Sequence, residues 1–227
     1  MLFTDRNDAG RQLAAKLDRF RGQHVVVLAL PRGGVPVASE VADFLNAPLD
    51  LLIVRKIGLP IQPELAMGAV IDGADPVVVR NEDVIRLARI SAAGFDLACR
   101  EQLAEIKRRR ERYLKGRAPI DVAGRVAIVI DDGIATGATV RAAIRGLRRR
   151  NPSSIVLAVP VAPHDTIASL KQEADEVVCL QQPHFFEAIG LYYLDFRQLS
   201  DENVVKLMDE ARARMDREGG KDPNAPG

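Results

Sequence analysis

The chain has 227 residues, of which 47% are hydrophobic and 28% charged, with a formal net charge of +1. That size suits one α/β domain with an elaboration and buries a substantial core without disulfides or structural metals. Near-neutral charge argues against a molecule-wide pull on nucleic acid or membrane, and no apolar run approaches the roughly 20 residues of a membrane span.

The opening residues, MLFTDRNDAG, lack a basic start followed by a long apolar stretch, so a cytoplasmic location is expected. Strands are predicted at 25–30, 50–54, 76–80, 125–130, 154–159 and 176–180. Several are unbroken Val/Ile/Leu runs, the pattern of a parallel sheet covered on both faces. Helices fall between them. Val37, Val41 and Phe44 share a face after the first strand, as do Val140, Ile144 and Leu147 after the fourth. Arg141, Arg145, Arg148 and Arg149 surround the latter helix and read as a solvated face.

The stretch 82–115 is expected to be helical, with Phe95, Cys99, Leu103 and Ile106 on one stripe and a basic run at its end. Cys99 and Cys179 are the only cysteines and read as two isolated buried thiols. Residues 183–199 hold half of the Phe and Tyr side chains, and Ser200 is expected to cap a last helix bearing Val204, Met208 and Ala211. His24, His164 and His184 read as isolated surface or packing residues, and 219–227, rich in Gly and Pro, as a disordered tail.

The segment that carries chemistry is VAIVIDDGIATGATVRAAI, 126–144. A buried strand delivers two carboxylates, Asp131 and Asp132, and a small-residue loop from Gly133 to Thr139 runs into a helix. A helix N-terminus offers unpaired N–H groups and a positive dipole end, which suit a phosphate. Gly133, Gly137 and Ala138 allow close wrapping of the backbone, and Thr136 and Thr139 add hydroxyl donors. Carboxylates just upstream would repel a bare phosphate. They make sense beside sugar hydroxyls or a water-bridged magnesium ion, so a ribose phosphate satisfies both halves. The loop lacks the Gly-Lys-Ser/Thr ending of a P-loop and is not the GxGxxG of a dinucleotide fold.

This segment resembles the ribose-phosphate signature of type I phosphoribosyltransferases. The resemblance implies an α/β core with a mostly parallel sheet flanked by helices and a small hood or cap. It implies that Asp131 and Asp132 meet the ribose hydroxyls while Gly133, Ile134, Ala135, Thr136, Gly137, Ala138 and Thr139 surround the 5-phosphate. LPRGGVPVA, 30–38, is similar to the family's pyrophosphate loop, often beside a cis peptide, and implicates Arg32, Gly33 and Gly34. VRKIGLPIQPELAMGAV, 54–70, resembles the mobile loop of adenine-type members, with Arg55 and Lys56 as cations for pyrophosphate. PHFFEAIGLYYLDF, 183–196, is similar to the hood-side loop of purine-type members, where Phe185 or Phe186 stacks on the base and Asp195 joins the acid pair at magnesium.

The implied organisation is a core of 1–81 and 116–182, a helical insertion or cap at 82–115, and a hood-side loop with a C-terminal helix at 183–218. The implied reaction joins 5-phosphoribosyl-1-pyrophosphate to a nitrogen acceptor with Mg2+ and releases pyrophosphate; a homodimer is expected. Ala135 stands where hypoxanthine and guanine enzymes carry an acid, which argues against a 6-oxopurine and leaves the acceptor open. The other reading is a ligand-sensing regulator on the same fold, with basic clusters at 107–117 and 145–150 touching nucleic acid. A metal-dependent phosphatase fits less well, since no Asp-x-Asp pattern is present.

Overall fold

Along the first strand, β1 (Val25–Ala29), every side chain is buried. Val25, Val27 and Ala29 enter one apolar cluster, while Val26 and Leu28 enter another on the opposite face. Strand geometry sends successive side chains to opposite faces, so such a run is stable only between two helical layers. In the computed structural model, which describes residues 2–73 and 75–219 (side chains 64, 218 and 219 aside), that is its position. Of the tail expected over 219–227, Gly219 is the last residue of a helix, and 220–227 lie outside the described residues.

Five parallel strands form the main sheet in the order β2-β1-β6-β7-β8: β2 (Leu49–Leu51), β6 (Val126–Ile130), β7 (Ser154–Val161) and β8 (Glu176–Gln181) complete it. One face is covered by α1 (Arg6–Lys16), α2 (Gly34–Leu45) and α7 (Asp201–Gly219), the other by α5 (Ala138–Arg148) and α6 (His164–Leu170). Strand order reverses between β1 and β6: β1 leads to β2 on one side, and β6 to β7 and β8 on the other. Such a switch point opens a crevice at the carboxyl ends of the strands.

Several expected boundaries change. The run 50–54 is not one strand, because β2 ends at Leu51 and a new strand, β3 (Val54–Leu59), starts in a different sheet. The run 76–80 is a strand, β5 (Val77–Arg80), but it does not join the parallel sheet. It pairs antiparallel with β4 (Gln62–Ile71), which pairs antiparallel with β3. Residues 54–70, expected as a loop, are therefore mostly a hairpin. The core sheet is left after residue 53 rather than after 81. Behind the hairpin lie α3 (Glu82–Leu87) and α4 (Ala92–Leu114), with Phe95, Cys99 and Ile106 buried along α4 as the stripe required.

A buried ionic knot ties α4 to both sheets. Arg110 pairs with Asp72, just past β4, at 2.5 Å and with Asp50 on β2 at 3.3 Å. Asp50 also accepts from the backbone of Leu51 and Ile120, each at 2.8 Å. Burial pushes the Asp72 carboxyl up, and Arg110 only partly opposes it. Among the described residues, no helix is long and apolar enough to cross a membrane.

Candidate functional site

Two loops leave the sheet side by side at the switch point, since β1 and β6 pair in register from Val25↔Val126 to Ala29↔Ile130. The first, from Leu30 to Gly33, includes a cis peptide between Pro31 and Arg32. It returns at once into α2, and Leu30 donates to Ile130 O across the strands at 2.9 Å. The second, 131–137, enters α5. The two interlock: a Cβ built on Gly33 would overlap the Asp132 carboxylate, and one on Gly34 would meet Ile130 O at 2.6 Å. Only glycine fits at these positions, and the acid pair is pressed directly against the first loop.

The acid loop is held along its length. Asp131 accepts from the Asp132 N–H at 2.9 Å, and Ile134 donates to Val161 O at 2.9 Å. Gly137 turns the chain into α5 with φ +77, a conformation costly to a residue with a Cβ. Ala135, Thr136, Ala138 and Thr139 face outward, whereas Gly133, Ile134 and Gly137 are buried. The loop thus leads from the carboxylates into the first turn of α5, whose free amides and positive dipole end suit an anion.

The two carboxylates differ. Asp131 is pushed well above the usual carboxylate range by burial and then by the neighbouring Asp132 charge. Asp132 is ion-paired with Arg6 at 2.7 Å, and its carbonyl accepts from the Tyr193 hydroxyl at 2.6 Å. Burial and then the Asp132 charge push the Tyr193 phenol up, so it remains a donor. Neither Arg6 nor Tyr193 has a local sequence pattern that marks it.

The other expected site residues are more dispersed. Arg32 turns toward α7, with its guanidinium 3.8 Å from Asp201, which also holds Arg112 and the Tyr113 hydroxyl. Arg55 and Lys56 lie on β3, where Arg55 donates to Gln102 of α4 at 3.1 Å. They line a cavity of about 580 Å³ between β3 and α4 that includes none of residues 131–139. Phe185 is 96% exposed, and Phe186 stacks on Tyr192 with ring centroids 5.6 Å apart. Asp195 pairs with Arg197, which holds its carboxyl below the usual range. Asp195 does not form a three-carboxylate cluster with the acid pair: no group of three or more His, Cys, Asp or Glu suited to a metal occurs among the described residues.

The histidines are not all isolated: His164 and His184 face one another with centroids 4.8 Å apart. Cys99 is buried, but Cys179 is only half-buried, and its thiol bonds Gln181 O. The basic clusters are largely matched internally. Arg108 and Arg109 pair with Glu105, Lys115 and Arg117 with Asp209, Arg145 with Glu173 and Arg148 with Asp175.

A family model described as a phosphoribosyl transferase domain matches residues 4–197. Two Mycobacterium tuberculosis proteins, from strains CDC 1551 / Oshkosh and H37Rv, are named provisionally as phosphoribosyl transferases. Each is 51% identical over 224 residues, a match covering 99% of this chain and 50% of theirs, so the chain spans about half the length of these curated relatives. The crystal structure of TT1426 from Thermus thermophilus is 40% identical with a TM-score of 0.80, covering 92% of this chain and 99% of that one.

Proposed function

Because the chain belongs to the phosphoribosyl transferase family, we propose that it binds 5-phosphoribosyl-1-pyrophosphate and transfers the phosphoribosyl group to a nitrogen acceptor. The observation that carries this reading is the interlock at the switch point, where Gly33 and Gly34 press against Asp131 and Asp132. One crevice thereby joins hydroxyl acceptors for a ribose, a helix N-terminus for its 5-phosphate, and a glycine-lined backbone loop for the leaving group.

In this reading Asp131 and Asp132 take the ribose hydroxyls, and residues 133–139 surround the 5-phosphate with backbone N–H and threonine hydroxyls. The backbone of Arg32, Gly33 and Gly34 meets the pyrophosphate. Arg55 and Lys56 approach the leaving group from β3, and Phe185 or Phe186 faces the acceptor. The block 54–114 serves as the cover and 183–199 as the hood-side wall. The acceptor nitrogen forms its bond to C1 as the C1–oxygen bond breaks, and that electron pair leaves with pyrophosphate while the acceptor N–H proton is released. The transition state resembles an oxocarbenium ion, so positioning and water exclusion count for more than a covalent nucleophile.

The donor set fits magnesium of one kind: an ion carried by the diphosphate and steadied by one or two carboxylates, not enclosed in a protein cage. An acid pair with one carboxyl pushed high is stabilised by such a cation. When bound, the ion would neutralise charge building on the departing pyrophosphate. Asp131 and Asp132 would hold it, with Asp195 joining only on release from Arg197.

Calorimetric titration with 5-phosphoribosyl-1-pyrophosphate, with and without Mg2+, tests the reading. Micromolar binding, about −8 kcal/mol, that depends on Mg2+ and disappears in the Asp131→Asn/Asp132→Asn variant is the expected result. Full affinity in that variant would overturn the site. A screen of acceptors for pyrophosphate release then tests turnover.

A further inference from the structure

Asp132 is held at two points by residues from the two ends of the described domain. Arg6, on the first turn of α1, donates from Nε to Asp132 Oδ2 at 2.7 Å and from Nη1 to Arg197 O at 3.0 Å. The guanidinium carbon sits 3.9 Å from the Phe196 ring centroid, so one flat face of the fork is covered. The Arg6 and Asp132 side chains are 10% and 11% exposed. The second hold on Asp132 is the Tyr193 hydroxyl on its carbonyl.

The segments that carry these groups are laced together by backbone bonds. Phe3 donates to Tyr192 O at 2.8 Å, Leu194 to Phe3 O at 2.8 Å and Asp195 to Thr4 O at 2.9 Å. Phe3 and Tyr193 pack ring to ring at 5.3 Å. Without this hold, a buried carboxylate beside a second one would rotate away from it or take up a proton. With it, Asp132 has one oxygen committed to Arg6 and presents the other in a fixed direction. Arg6 itself reaches Asp132 from behind, through α1 rather than from the glycine loop.

We propose that Arg6 is a positioning residue of the ribose site, acting on the ligand through Asp132 alone. This rests on the ribose-phosphate reading given above and assigns the N-terminal segment a part in it. The hydroxyl-bearing half of the ligand should feel Arg6, and the diphosphate half, taken without Mg2+, should not.

That selectivity separates the idea from a merely structural role. Titration of the protein with ribose 5-phosphate and, separately, with pyrophosphate in the absence of Mg2+ splits the ligand into its halves. Arg6→Met, which keeps the apolar stem against Phe196, is expected to weaken ribose 5-phosphate on the order of 10–100-fold, with pyrophosphate affinity unchanged. Arg6→Lys should recover part of the loss. In an Asp132→Asn background, Arg6→Met should cost nothing further.

Equal losses for both ligands, additive losses in the double variant, or undiminished ribose 5-phosphate affinity would each overturn the proposal. Where Arg6→Met does not fold, Tyr193→Phe carries the same test, with a smaller loss confined to ribose 5-phosphate. If the unaltered protein binds neither ligand, the ribose-phosphate reading falls and this inference with it; if it binds both and Arg6→Met is silent, only this inference falls.

Discussion

At the carboxyl ends of β1 and β6 the candidate site is assembled from backbone and glycines, whereas the part proposed on β3 rests on two long cationic side chains. The first region is fixed by register across five parallel strands and by loops with no room between them. The second is a hairpin whose register shifts twice, between Ile57 and Gly58 and between Gly58 and Leu59, and whose tip leaves Ile61 92% exposed. Ribose hydroxyls and a phosphate need donors and acceptors placed to within fractions of an ångström, which strand ends and a helix terminus supply. A diphosphate responds to positive charge over a longer range, which a hairpin bearing Arg55 and Lys56 can supply from a less rigid place.

Four substitutions sharpen or break that contrast. The largest expected effect is on the attachment of the hairpin side. Arg110→Met leaves Asp50 and Asp72 buried without their cation and should cost about 3–5 kcal/mol in denaturant unfolding. Asp72 already titrates above its ordinary value, so protonation relieves the exposed conflict and the loss should shrink as pH falls toward that range. A loss that does not vary with pH would mean that packing, not charge, holds α4.

Gly33→Ala comes next, because its Cβ falls on the Asp132 carboxylate. An affinity loss of about 100-fold for 5-phosphoribosyl-1-pyrophosphate, roughly 2.7 kcal/mol, is expected by calorimetry. Unchanged binding would show the interlock to be loose. Lys56→Ala should lower turnover by about tenfold while moving unfolding free energy by less than about 0.5 kcal/mol. A large stability loss would make Lys56 part of the scaffold instead.

Smallest is Asp175→Asn, on the far side of the parallel sheet. The Arg148 hydrogen bond holds this carboxyl below its ordinary value of 3.8. Its contribution is therefore complete above that value and disappears as pH falls through the depressed one. For so exposed a pair it should stay under about 1 kcal/mol. Melting curves of variant and parent should differ at neutral pH and converge in acid, with ligand affinity equal throughout.

Much of the parallel half was legible because burial on both faces leaves continuous apolar runs. The predicted 125–130, 154–159 and 176–180 lie within a residue or two of β6, β7 and β8. The stripes on α2, α4 and α5 were legible for the same reason, as was the Ser200 cap, which accepts from Asn203 N–H at 3.2 Å. The antiparallel sheet was not. Val77 to Val79 read as a strand, but nothing local says which strand lies beside it, and Pro63 and Gly68 break the apolar pattern along β4. In the site, the acid pair and the two glycine loops were visible as contiguous motifs. Arg6 was not, because an arginine in a polar opening segment acquires meaning only from a partner 126 residues away. Nor was α1 read from the sequence, although Asp5 caps it and accepts from Asp8 N–H at 2.7 Å.

The lacing of Phe3 and Thr4 to residues 192–195 has a consequence for synthesis. Arg6 leaves the ribosome first among the groups around Asp132, and Tyr193 and Phe196 last. β1, α2 and even β6 can therefore pair while Asp132 still lacks its full complement of neighbours. A nascent chain stalled before Tyr193 emerges would carry the acid loop in sequence but not its final setting, so competence to hold a ribose should arrive abruptly, once Tyr193 and Phe196 have emerged.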